Sequence, residues 1–118
     1  MEKTVARGDI WWVDLGAPQG SAQAGRRPVV VVSNDTGNRL SSTVIVATVT
    51  TRHLREYPFT VRLSPGEGGL ARESFIDAAQ LRTLDKGLLE RQAGRLDPSR
   101  MAEVNEALKI SLALDIDS

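Results

Sequence analysis

Short runs of β-branched or strictly alternating residues constrain this chain more than anything else in it. Residues 28–33 are Pro28, Val29, Val30, Val31, Val32 and Ser33, a continuous apolar stretch too short for a helix, which predicts a strand buried on both faces. Residues 43–50 form a second β-branched run in which Val44, Val46, Thr48 and Thr50 share one face. Residues 57–63 alternate Tyr57, Phe59, Val61 and Leu63 with Pro58, Thr60 and Arg62, the pattern of a strand with one wet face. Residues 9–15 mix tryptophan and valine with acids and read as a half-buried strand. Trp11 and Trp12 then point to opposite faces, one into the core and the other outward, under an interface or a loop.

The rest of the chain continues in short pieces. Strands are expected around residues 74–78, 81–84 and 91–96, with Asp85 capping a short helix that runs to Leu89. Asn34, Asp35, Thr36, Gly37 and Asn38 are turn formers and predict a loop. Asp97-Pro98 is a strong helix start, an acid at the N-cap and proline at the first helical position. Met101, Val104, Leu108 and Leu112 mark one face of the amphipathic helix that follows. Several short strands, long loops and one terminal helix favour an antiparallel sheet curled into a small barrel, mainly β with helices attached, over an alternating α/β fold. At 118 residues the chain is expected to be a single domain spanning 1–118.

Composition excludes several function classes. There is no cysteine, hence no disulfide or thiolate metal site, which suits a reducing cytosol. The first residues lack the apolar core of a signal peptide, and no run approaches the ~20 apolar residues of a membrane helix, so the chain is expected to be soluble and cytoplasmic. Fifteen basic and fifteen acidic residues balance. They are not evenly spread: residues 22–62 hold six arginines against two acids, whereas residues 97–118 hold five acids against two bases. A basic half with an acidic far end is suited to orienting a polyanion, and equally to a solvated face of mixed charge. The glycines lack the lysine and hydroxyl of a P-loop and the setting of a dinucleotide site. His53 is the only histidine, so neither a soft metal site nor a Ser-His-Asp assembly is expected, and no cofactor is called for.

Between the first two strands lies a long polar loop, residues 16–28, that ends in Arg26-Arg27-Pro28. Loops of this length in small domains are usually functional or disordered. Here proline fixes the backbone on entry to the valine run, and an arginine held at a sheet rim is suited to gripping a phosphate or carboxylate.

Arg7-Gly8-Asp9-Ile10-Trp11, Gly20-Ser21, Arg27-Pro28 with the valines and Ser33-Asn34-Asp35, Thr43 through Thr50, and Gln80-Leu81-Arg82-Thr83-Leu84-Asp85 stand in an order and spacing that resembles the MazF/PemK toxin family. The likeness runs over nearly the whole chain, including Glu106-Ala107-Leu108-Lys109. The resemblance implies an SH3-like barrel acting as a homodimer, and a metal-independent, sequence-selective endoribonuclease from a type II toxin–antitoxin module. Such enzymes cut single-stranded RNA by attack of the ribose 2′-hydroxyl on the adjacent phosphate, leaving a 2′,3′-cyclic phosphate and a 5′-hydroxyl. The matching catalytic positions are Arg27 and Thr50, with Arg26 an auxiliary phosphate contact or a solvated neighbour.

Those positions make physical sense for that reaction. A planar guanidinium presents fixed donors to two phosphate oxygens and stays charged at neutral pH, so Arg27 is read as an electrostatic stabiliser. A hydroxyl at a strand end can hold a phosphate in line. The sequence departs from many relatives at Ala22 and Ala79, where acids are frequent, which leaves His53 as a substitute base. Reading single-stranded RNA requires base edges met by amides and hydroxyls, for which Gln19, Ser21, Gln23, Asn34 and Gln80 are candidates, with Arg52 and Arg82 for phosphates. Each also has a plainer reading: Asn34 closing a turn, Gln80 satisfying a sheet edge, Arg82 solvated on a strand. A polar, cationic groove also suits an acidic, disordered peptide, and a MazE-like antitoxin whose acidic segment blocks Arg27 is the expected partner. Two other readings remain open at this point, a gyrase-binding toxin of the CcdB type and a catalytically silent RNA-binding barrel. The former depends on a Trp-Gly-Ile ending, whereas this chain finishes Leu114-Asp115-Ile116-Asp117-Ser118.

Overall fold

The valine and threonine runs sit in the middle of one antiparallel sheet, as strands that must be buried on both faces do. The computed structural model describes residues 3–17, 20, 24–52 and 55–114. Its strands are β1 (Asp9–Asp14), β2 (Arg26–Val31), β3 (Thr43–Thr50), β4 (Thr60–Leu63), β5 (Ser74–Asp85) and β6 (Leu89–Arg95), and its helices are α1 (Asp35–Leu40) and α2 (Pro98–Leu112). The sheet order is β4-β5-β3-β2-β1-β6. Every adjacent pair is antiparallel.

Alternation distributes the core. Ile10 and Val30 face a cluster with Val49, Val61, Leu63, Ile76, Val104 and Leu108, while Trp11, Val13, Val29, Val31, Val44 and Val46 face a second cluster on the other side. Val29, Val30 and Val31 are all fully buried. At about 1.5–3 kcal/mol for each buried side chain, these three adjacent residues are among the largest local contributions to stability.

The sheet closes through glycine. β4 and β6 lie at opposite edges of the strand order, yet the 3-10 turn Glu67–Gly69 that follows β4 lies against the backbone of β6. A Cβ on Gly94 would stand 2.5 Å from the Gly68 carbonyl oxygen, and one on Gly69 would stand 2.6 Å from the Ala93 carbonyl carbon. Only hydrogen at both positions lets two backbones approach this closely, and it is this contact that curls the sheet into a barrel.

The same turn is tied to α2 by charge. Glu67 accepts from Arg100 Nε at 3.0 Å and from the Ser64 backbone N–H at 2.6 Å. The Arg100 guanidinium, and then the Ser64 amide, hold the Glu67 carboxyl below its ordinary value near 4.5. Asp97 is lowered mainly by the Arg100 backbone N–H at the helix N-cap, and Asp35 mainly by the Arg7 backbone N–H. A carboxyl lowered in the folded state stabilises fully above its unfolded value and loses that contribution as pH falls through the folded one. The melting temperature is therefore expected to hold between about pH 7 and 5 and to decline below about 4.5, with a shallower decline in Glu67→Gln. Thermal denaturation across that range checks it, and an acid limb unchanged by the substitution would remove Glu67 from the account.

Several sequence expectations are corrected. Residues 34–38 are not a loop: Asn34 accepts from the Gly37 backbone N–H at 2.7 Å and caps α1, while the buried Asn38 donates to the Ser33 carbonyl. The turn formers were helix-capping residues. The strands expected at 74–78 and 81–84 are one strand, β5, with a bulge, because Thr48 pairs with Asp77 and Ala47 with Leu81. Asp77 accepts from the Ala79 backbone N–H and closes the bulge, so the ladder continues through a bend. β4 begins only at Thr60, since Pro58 has no N–H to pair; Tyr57 and Phe59 stack with ring centroids 5.0 Å apart instead. On α2, Ala107 and Val104 dock with Leu108, and Ser111 donates to the Ala78 carbonyl, whereas Leu112 is half exposed.

Asp85 is the expected cap, but what it caps is a 3-10 turn, Lys86–Leu88, and β6 takes up the chain at Leu89, two residues before the strand expected at 91–96. Asp9 opens β1 almost wholly buried. It accepts from the Ala6 backbone N–H and from Arg95 Nε, each at 2.9 Å, and so latches the first strand to the last. Among the described residues no helix is long and apolar enough to cross a membrane.

Candidate functional site

Arginines decide where an anion can bind, and four of the twelve are already engaged by carboxylates. Arg62 pairs with Glu73, Arg95 with Asp9 and Arg100 with Glu67 and Glu103. Arg26, expected beside Arg27 as an auxiliary phosphate contact or a solvated neighbour, holds Glu90 with both prongs at 2.8 and 2.9 Å. Its charge is therefore matched locally, and the Glu90 carboxylate raises its pKa.

Arg27 is different. It is half-buried at the start of β2, and among the described residues no carboxylate pairs with it. Its Nε donates to the Ala24 carbonyl at 2.7 Å, and Nη1 reaches the Thr50 hydroxyl at 3.4 Å. The register explains the meeting. Val29 stands opposite Thr48, so two places further along the same ladder Arg27 lies across from Thr50. One end of the guanidinium fork is anchored and the other donors remain for an anion.

Thr50 is buried, and its Oγ1 also accepts from the Arg52 backbone N–H at 3.1 Å. With both acceptor positions of the oxygen used, the hydroxyl proton is the one left to donate. The pair therefore presents an N–H fork and an O–H together.

They line a cleft of about 370 Å³. Its other walls are Trp12, Arg26, Pro28, Val49 and Thr51, and the segment from Leu70 to Arg72 with Ser74. Of the two tryptophans, expected on opposite faces with one in the core, Trp11 is the buried one, and Trp12 is half-buried and forms part of this wall. Arg72 was missed from sequence altogether, because it follows a glycine-rich turn and carries no local signal that it would fold back beside Thr50.

Of the candidates named from sequence, the cleft unites Arg26, Arg27 and Thr50. Asn34 serves as the N-cap of α1, neither a base reader in the cleft nor the closer of a turn. Arg82 donates to the Leu15 carbonyl at 3.4 Å, bracing the foot of the long loop. Gln80 sits in the β5 bulge, and Arg52 is exposed just past β3; neither lines the cleft. Gln19, Ser21, Ala22, Gln23 and His53 lie outside the described residues.

A family described as the PemK-like, MazF-like toxins of type II toxin–antitoxin systems matches residues 6–112. The chain is 45% identical over 109 residues to the endoribonuclease MazF of Staphylococcus saprophyticus, covering 92% of this chain and 91% of that one. Among solved structures it is similar to an endoribonuclease in complex with its cognate antitoxin from a mycobacterial species, with a TM-score of 0.81, 29% identity, and coverage of 95% of this chain and 98% of that one. A MazF from Deinococcus radiodurans superposes with a TM-score of 0.79 at 26% identity, covering 95% and 99% of the two chains.

Proposed function

The chain belongs to the family of PemK-like, MazF-like toxins of type II toxin–antitoxin systems and is an endoribonuclease, and we propose that the Arg27–Thr50 cleft is where it cuts single-stranded RNA. The observation that carries this reading is the half-buried Arg27 with no carboxylate partner among the described residues, its fork shared with a buried threonine hydroxyl. In the proposed reaction the ribose 2′-oxygen bonds to the adjacent phosphorus and loses its proton. The bond from phosphorus to the 5′-oxygen breaks, and that oxygen leaves as a hydroxyl after taking up a proton. Negative charge gathers on the non-bridging oxygens, where the Arg27 fork and the Thr50 O–H donate. Because the guanidinium stays protonated, Arg27 acts on charge and not as the base.

The partner is an antitoxin, as in the mycobacterial complex, and its acidic segment would cover the same cationic cleft. The remaining parts of the reading are a homodimer, sequence-selective cutting, a cytoplasmic location and independence from metal. The test is incubation of the protein with a long mixed-sequence RNA in EDTA, followed by mapping of the new ends. Recurrent cuts at one short motif with 5′-hydroxyl ends are expected, and intact RNA would overturn the reading. Thr50→Val keeps the β-branched shape and is expected to slow cleavage about 10- to 100-fold, the loss of one hydrogen bond made to developing charge. Equal rates for the two proteins would take Thr50 out of the site.

A further inference from the structure

We propose that Arg72 is a phosphate-binding residue of this enzyme, gripping a backbone phosphate that flanks the scissile one. The proposal rests on the endoribonuclease reading of the same cleft and extends it to a second subsite.

Three features carry it. Arg72 lines the cleft that contains Arg27 and Thr50. Its guanidinium has no ion-pair partner among the described residues, because the neighbouring carboxylate, Glu73, is engaged by Arg62 across the β4–β5 ladder. The backbone that carries it is held at both ends: Leu70 is buried on one side, and on the other the buried Ser74 hydroxyl donates to the Arg72 carbonyl at 2.9 Å. Arg72 is thus an exposed, unneutralised cation on a fixed arc, which reduces the ordering cost of gripping a ligand.

The register sets where it stands. Thr50 pairs with Phe75, so the chain preceding β5 runs on past the end of β3, beyond the reactive pair. A single RNA strand carries one charge per nucleotide, and a cleft that holds the scissile phosphate at Arg27 leads the next phosphate along its wall. Arg26 lines the cleft too, but Glu90 already neutralises it. Arg27 and Arg72 are then the two cations of the cleft wall that no carboxylate among the described residues claims, enough for two adjacent phosphates.

A flanking phosphate keeps the same charge in ground and transition states, so its grip is uniform binding. Arg72→Ala is therefore expected to raise KM about 10-fold with kcat within a factor of two. With an oligoribonucleotide made uncleavable by a 2′-deoxy sugar at the cut site, the slope of log affinity against log salt should fall by about 0.7, one phosphate contact on a single strand. Arg39→Ala removes the same charge outside the cleft and reports the general electrostatic contribution. Replacing the flanking phosphate by a neutral methylphosphonate should weaken the wild type and leave Arg72→Ala unaffected.

A fall in kcat with KM unchanged would assign Arg72 to the reaction itself and overturn the proposal. So would a salt slope equal to that of Arg39→Ala, or equal sensitivity of both proteins to the methylphosphonate. Matching melting curves confirm that the variant is folded. Failure of the wild type to cut RNA would instead overturn the endoribonuclease reading, so the two failures are distinguishable.

Discussion

Arg27→Ala is expected to lower the rate of RNA cleavage about 100- to 1000-fold while moving the melting temperature by only a few degrees. The size follows from the position of the guanidinium. One edge is fixed by the Ala24 carbonyl, so the fork is set before substrate arrives and costs no reorganisation when charge develops. Removing one such donor from a preorganised site is worth about 3–4 kcal/mol. The stability cost is small by comparison, because what is lost in the free protein is one hydrogen bond to a carbonyl and a long contact to Thr50, about 1 kcal/mol. Arg27→Lys should recover little, since an ammonium has no fork to divide between Ala24 and the phosphate. Single-turnover cleavage with all three proteins decides it. A retained rate above about one third in Arg27→Ala would place the chemistry elsewhere.

Gly69→Ala is expected to destabilise the fold by about 3 kcal/mol, a fall in melting temperature on the order of 10 °C for a domain of this size. Two costs combine. The residue has φ +81°, where an L side chain is strained by about 1 kcal/mol, and the added methyl would press on the Ala93 carbonyl of β6. Gly66 separates them: its φ is +94°, but nothing lies within 4 Å of where its Cβ would be. Gly66→Ala should therefore cost only the conformational part, about 1 kcal/mol. Urea denaturation of the two variants, with unchanged slopes, measures the difference directly. Equal losses would mean that close approach to β6 is not what closes the sheet.

The sequence was most legible where the signal is local. Strand β3 falls on the expected residues because β-branched residues run through it without a breaker, and α2 begins at Pro98 because Asp97 caps it. Arg27 could be singled out because the resemblance places a catalytic arginine just before the proline, near the start of a strand that Pro28 and the valines fix. Legibility failed where the same residue types serve two purposes. Asn34 through Asn38 are as good at starting a helix as at making a turn, and the buried bonds of Asn38 decided between them. The split in β5 looked like a strand end because a bulge has no periodicity of its own. Arg26 and Arg27 look alike in the chain, and Glu90, 64 residues away, takes one and leaves the other.

By itself the sequence determined most of the strands, the caps at Asp85 and Asp97, a small barrel with a terminal helix, and the kinship that points to RNA cleavage. These depend on alternation, on proline and capping residues, and on ordered motifs, all of which act between near neighbours or survive as pattern. Tertiary structure alone decided which arginines are free, that Thr50 lies across from Arg27, and that Arg72 and Trp12 join them in one cleft. Those outcomes depend on ladder register and on the closure of β6 against Gly69. Register and closure are set by the whole set of long-range contacts, and no local stretch of residues encodes them.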